Sequence, residues 1–128
     1  MKILLVEDGV FFGELVTEFL SIDGHTVLLA TDGLDALDLL AANTFDLIIT
    51  DMFMPNMDGT DFIAALSAQG NHIPIIAMSG GRKKITAENG IELAKILGVT
   101  TVLIKPFLRT DLQQAIQQVV TNQGQILE

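Results

Sequence analysis

The stretch FDLIITDMFMPNMDG, residues 45 to 59, places a carboxylate, Asp51, directly after a run of apolar and β-branched residues and just before a Met, Pro and Gly turn. Four other polar positions share that setting. Glu7 and Asp8 follow KILLV, Ser79 follows IPIIAM and precedes Gly80 and Gly81, and Lys105 follows VTTVLI and precedes Pro106. Taken singly, each acid reads as a turn or helix-cap residue, the Ser as an ordinary turn residue and the Lys as a solvated base. Taken together they describe a chemistry. Three carboxylates gathered at one edge raise one another's proton affinity unless a cation is present. A hard divalent ion, Mg²⁺ or Mn²⁺, resolves the repulsion. Mg²⁺ takes oxygen ligands in octahedral geometry, commonly one or two carboxylates with waters and a phosphoryl group, and Asp8 and Asp51 fit as direct ligands. A carboxylate beside such an ion and a Lys can attack phosphorus. The acyl phosphate formed would share its charge among the metal, Lys105 and the Ser79 hydroxyl.

The elements that would position these residues are legible in the apolar pattern. Short β-branched runs alternate with helical periodicity, the mark of a parallel sheet covered on both faces. The predicted strands are 2–6, 26–30, 46–50, 73–78 and 99–104. The first predicted helix carries Phe12, Leu15, Val16, Phe19 and Leu20 as one apolar stripe, and the last carries Leu112, Ile116, Val119 and Val120. In a doubly wound sheet, ligands sit beyond the carboxyl ends of the strands where strand order reverses. Glu7, Asp8, Asp51, Ser79 and Lys105 all fall at such ends and should converge on one edge.

Composition narrows the function. A chain of 128 residues with 49% apolar content is the size of one domain with one core, so residues 1–128 are expected to form a single domain. Mean hydropathy is +0.48, yet the long uncharged stretches are interrupted by Ser, Gln, Gly, Asn, His and Pro, and no membrane span is predicted. The N-terminus lacks the pattern of a secretory signal, which points to the cytoplasm. The absence of Cys excludes disulfides, thiolate metal sites and Cys nucleophiles. Sixteen acids against seven bases give a net charge of −9, which argues against direct nucleic-acid binding. The final Leu-Glu has the look of a cloning remnant.

With these residues in place, the chain resembles the receiver domains of two-component response regulators and is similar to the chemotaxis response regulator. The resemblance rests on V-E-D (6–8), D-M-F-M-P-N-M-D-G (51–59), A-M-S-G (77–80) and K-P-F (105–107), in family order and spanning essentially the whole chain. It implies a flavodoxin-like five-stranded parallel sheet of order 2-1-3-4-5. It further implies that Asp51 accepts a phosphoryl group from a histidine kinase or phosphotransfer protein, that Glu7 and Asp8 hold Mg²⁺ with the backbone carbonyl of Phe53, that Ser79 hydrogen-bonds the phosphoryl group, and that Lys105 pairs with it, commonly across a cis bond to Pro106. The implied protein is a signalling switch that catalyses only its own phosphorylation and dephosphorylation. It would act on a downstream protein target through its fourth helix, fifth strand and fifth helix, either standing alone or as the N-terminal part of a larger regulator.

The chain departs from the family in three places. Val102 stands where an aromatic residue usually turns inward as the Ser moves. The segment after Gly80 is several residues longer than is common, so Gly80 and Gly81 become candidate hinges and residues 80–98 the candidate carrier of the switch. That segment also concentrates Arg82, Lys83 and Lys84, either a solvated loop or a basic contact for a phosphate or an acidic partner. Rival chemistries fit less well. A haloacid-dehalogenase-like phosphatase needs a second acid two residues after its nucleophile, where Phe53 stands. A flavodoxin would not place Glu7 and Asp8 against a cofactor phosphate, and A-M-S-G-G is no nucleophile elbow. A phosphorylation-independent interaction scaffold is the remaining alternative, and the complete acid set argues against it.

Overall fold

The computed structural model describes residues 1–52, 54, 56–57, 59–80 and 95–127, with the side chains of 123–127 set aside. Phe53, Gly81 and the Arg82-Lys83-Lys84 cluster lie outside the described residues. Strands β1 (Lys2–Val6), β2 (Thr26–Ala30), β3 (Leu47–Asp51), β4 (Ile75–Ser79) and β5 (Thr101–Ile104) form one parallel sheet in the order β2-β1-β3-β4-β5. Helices α1 (Val10–Ile22), α2 (Gly33–Ala42) and α3 (Gly59–Ala68) alternate with the first four strands, residues 95–97 are helical, and a C-terminal helix runs over Arg109–Leu127. The order doubles back at β1, so β1 and β3 lie at the centre and their carboxyl ends flank the switch point.

The two-residue side-chain period divides each central strand between two cores. Ile3 and Leu5 of β1 join Leu47 and Ile49 of β3 against Val16 and Leu20 of α1 and Leu112, Ile116 and Val119 of the C-terminal helix. Leu4, Val6 and Ile48 face the other way, against Ala36 of α2 and Phe62, Ile63 and Leu66 of α3. Both faces are therefore covered, which is why the strands read as continuous apolar runs.

Two expectations shift. The α1 stripe does not include Leu15, which is 43% exposed, because Gly13 takes the sheet-facing position: a Cβ there would meet Leu29 Cδ2 at 3.4 Å, so the missing side chain lets α1 lie close on the β2 edge. In the C-terminal helix Ala115 is buried and Val120 is 45% exposed, so that stripe is likewise rotated off one of its large residues. Strand limits also move. The third extends through Asp51 and begins at Leu47, the fourth is Ile75–Ser79 rather than 73–78, and the fifth begins at Thr101 rather than 99. Pro74 has no N–H to give to a ladder and serves only as acceptor, from Ile48 N at 3.0 Å.

Among the described residues, no helix is long and apolar enough to cross a membrane.

Candidate functional site

Strand register builds the site. Val6 pairs with Thr50 and Asp51 with Met78, and at the far side Ser79 pairs with Ile104. One step beyond Val6 and beyond Ile104 stand Glu7 and Lys105, so the sheet delivers Glu7, Asp51, Ser79 and Lys105 at nearly one level. The ladder continues past the strands, with Lys105 N donating to Ser79 O at 2.7 Å and Met52 N to Met78 O at 3.1 Å.

Two glycines permit the close backbone approaches. A Cβ on Gly59, the first residue of α3, would lie 2.2 Å from the Asp51 carbonyl oxygen, and one on Gly80 would lie 2.6 Å from Lys105 Cβ. No side chain fits at either position. The Lys105–Pro106 peptide bond is cis, as the resemblance implied.

The structure brings the side chains of Glu7, Asp8, Asp51 and Lys105 together at one edge, and Ser79 stands at the end of β4 on that same edge. Ligand oxygens of Glu7, Asp8 and Asp51 all lie within 4.8 Å of one another. Glu7 is 3% exposed and Asp51 6%, while Asp8 is open to solvent. Lys105 Nζ donates to Glu7 Oε1 and, at 3.1 Å, to Asp51 Oδ2. The second Glu7 oxygen, Oε2, accepts from Gly9 N at 3.0 Å. Burial pushes the Glu7 carboxyl above its ordinary value, against the hydrogen bonds from Lys105 and Gly9, and the Asp51 charge adds to the rise. Burial alone would lower the Lys105 ammonium, but the hydrogen bonds and charges of Glu7 and Asp51 outweigh it and hold it above the ordinary Lys value. Ser79 is 1% exposed, and its Oγ has no hydrogen-bond partner among the described residues. A buried hydroxyl without a partner carries a desolvation cost that a ligand can relieve.

The donor set fits a hard divalent cation. Three carboxylates reach into one small volume and supply oxygen only, the preference of Mg²⁺ or Mn²⁺. Both Glu7 oxygens already accept hydrogen bonds, whereas Asp8 faces solvent.

The structure also shows residues that the sequence did not single out for the site. Phe12 lies with its ring centroid 4.5 Å from Lys105 Nζ, and Phe107 meets Phe12 edge-to-face at 5.4 Å and 89°. In the sequence Phe12 was one member of a core stripe, with no local signal of anything else. Asn56, at φ 67°, donates through Nδ2 to Asp32 Oδ2 at 2.8 Å, tying the loop after β3 to the start of α2. Its left-handed backbone could have been suspected from the P-N-M-D-G turn, its partner could not. Val102 sits in β5 opposite Ala77, half-buried, and lines an open groove of about 330 Å³ with Phe107, Asp111 and Gln114.

Sheet order and the location of this side-chain set at the switch point define a doubly wound, flavodoxin-like fold with an acidic cluster at the carboxyl ends of its central strands. Residues 3–117 match the response regulator receiver domain, and the chain belongs to that family. Over 107 residues it is 39% identical to the "Regulator of RpoS" of Escherichia coli K12, covering 82% of this chain and 30% of that protein. It is 37% identical over 110 residues to the "Transcription factor SKN7" of Saccharomyces cerevisiae, 86% of this chain and 17% of that one, and 32% identical over 112 residues to the "Response regulator MprA" of a Mycobacterium species, 88% and 47%. The chain thus spans less than half the length of these relatives. Among solved structures, a response regulator receiver domain protein of Clostridium thermocellum superposes with a TM-score of 0.82 at 30% identity, covering 99% of this chain and 98% of that one. The chemotaxis response regulator CheY4 of Vibrio cholerae gives 0.79 at 32% identity, covering 92% and 97%.

Proposed function

We propose that the chain is a phosphorylatable switch of a two-component phosphorelay in which Asp51 takes a phosphoryl group from a histidine kinase or a histidine phosphotransfer protein. The observation that carries this is Asp51 itself, nearly buried at the end of β3, held by Lys105 and set against Glu7 and Asp8. An Asp51 oxygen forms the bond to phosphorus while the phosphorus–nitrogen bond of the donor breaks, and the imidazole leaves with the electron pair. Return to the resting state needs water to attack phosphorus and release the Asp51 carboxylate.

A bound Mg²⁺ or Mn²⁺ supplies charge neutralisation for the transferring group. Asp8 and Asp51 would hold it, with Glu7 behind them and the Phe53 carbonyl as a further oxygen. Lys105 moves its hydrogen bond from Asp51 to the phosphoryl oxygens. Ser79 gains from them the partner its hydroxyl lacks among the described residues, and that gain is the differential interaction by which phosphorylation shifts the equilibrium between two states. Since Val102 offers little to swing, the signal would leave through the segment 80–98, of which 81–94 lie outside the described residues, and through the surface of the fifth strand and C-terminal helix, toward a protein target. Turnover is confined to the chain's own phosphoryl group, and the setting is cytoplasmic.

Acetyl phosphate with Mg²⁺ is expected to add one acid-labile phosphoryl group by intact mass. An Asp51→Asn variant that takes up as much phosphate as the wild type would refute the assignment.

A further inference from the structure

Lys105 is a flexible point charge on a four-carbon stem, and the two acids that attract it compete for it. Glu7 takes one of its donors and Asp51, at 3.1 Å, another. Yet the ammonium can serve a phosphoryl group at Asp51 only if it stays where it is when Asp51's charge is spread over new oxygens. The contact that does not depend on those carboxylates is the ring of Phe12, on the first turn of α1, 4.5 Å from Nζ to centroid. That is well inside the roughly 6 Å reach of a cation–π attraction, and a half-buried ring strengthens it by keeping water from the cation. The ring is itself clamped by the perpendicular edge of Phe107, two residues after Lys105, at 5.4 Å. Lys105 and Phe107 thus grip Phe12 from one loop, and α1 supplies the fixed point.

We propose that Phe12 is a positioning residue for phosphoryl transfer to Asp51, holding the Lys105 ammonium over the acceptor through its ring face. The inference rests on the reading of Asp51 as the phosphoryl acceptor. Its distinguishing claim is that the π face matters beyond the volume it fills. Leu would fill much of that volume without a face, and Tyr would restore the face.

The test compares wild type, Phe12→Leu, Phe12→Tyr and Asp51→Asn. The first readout needs no phosphate: the Lys105 ε-methylene protons should be shifted upfield by the ring current in wild type and Phe12→Tyr, and should return to the free Lys position in Phe12→Leu. The second is the rate of reaction with acetyl phosphate and Mg²⁺, in which the Asp51 oxygen–phosphorus bond forms as the acetyl oxygen–phosphorus bond breaks and acetate leaves. Phe12→Leu should react about five-fold more slowly, the size of one partly desolvated cation–π contact, and Phe12→Tyr at close to the wild-type rate. Equal Lys105 shifts in wild type and Phe12→Leu overturn the proposal, as does a folded Phe12→Leu that reacts at the wild-type rate, or a Phe12→Tyr slowed as much as Phe12→Leu. If instead Asp51→Asn is labelled as fully as wild type, the acceptor reading itself fails and this inference falls with it, a pattern separate from the other three.

Discussion

The two ends of the same five strands are built on opposite principles. At the amino ends donors meet complementary acceptors: Lys2 N donates to Asp46 Oδ2 at 2.7 Å, Asp46 N to Lys2 O at 2.8 Å, and Ile73 N to Asn71 Oδ1 at 2.9 Å. Even the Lys that lies over an aromatic ring there, Lys2 at 5.4 Å from Phe45, reaches a neutral amide, Asn43, at 3.2 Å. At the carboxyl ends carboxylates face carboxylates, a hydroxyl is buried without a partner among the described residues, and one Lys serves two acids. The backbone ladders are equally regular at both ends, so the difference lies wholly in side chains. One end of the sheet is closed by paired groups; the other gathers like charges.

That contrast can be broken from either side. The largest effect expected is loss of phosphoryl uptake in Asp51→Asn, with no fall in the metal-free thermal midpoint, since one of three crowded charges is removed while an acceptor for Lys105 remains. A fall of several degrees would mean that the carboxylate also stabilises the fold. Away from the site, Leu66→Ala, 2% exposed in the core beneath α3, should cost about 2–5 kcal/mol in denaturant unfolding while the folded fraction still takes up phosphate. At the amino ends, Asp46→Ala should cost about 1 kcal/mol, the net worth of an ordinary hydrogen bond, with phosphorylation unchanged. Ser79→Ala should leave stability unchanged or raise it, because its buried hydroxyl has no partner among the described residues to lose, yet should weaken the chemical-shift response to a phosphoryl analogue.

The smallest effect is one of pH. The N-cap bond from Asp35 N at 2.8 Å, followed by the bond from Asn56, holds the Asp32 carboxyl below its ordinary value of 3.8. A depressed acid stabilises the fold fully above that ordinary value and loses its contribution as pH falls through the lower folded value. Asp32→Asn should therefore flatten the acid limb of the stability profile, measured as thermal midpoint against pH, and leave neutral behaviour nearly unchanged.

The two ends were not equally legible. Strand runs and their terminal polar residues can be read one residue at a time, so Asp51, Lys105 and Ser79 stood out and the switch-point rule gathered them. Helix faces were read less well. Leu15 and Val120 satisfy the apolar spacing but point outward, because Gly13 and Ala115, too small to weigh in a hydrophobic pattern, allow the closer approach to the sheet. Phe12 over Lys105 was beyond reach in the same way: the residues are 93 positions apart, and only the parallel register brings them together.

Gly59 fixes more than a local fit. Its N–H is bonded to Met52 O at 2.8 Å, and no carbon fits between its Cα and the Asp51 carbonyl, so the first residue of α3 cannot slide past the acceptor. What remains to α3 is rotation. A ten-residue helix is about 15 Å long, so a tilt of about 5° about that pinned end would displace its far end by roughly 1.3 Å. That far end, with Leu66 and Ser67, borders the cavity of about 400 Å³ near the amino ends of the strands. Geometrically, Gly59 is the pivot of any such tilt, and the length of α3 is its lever arm.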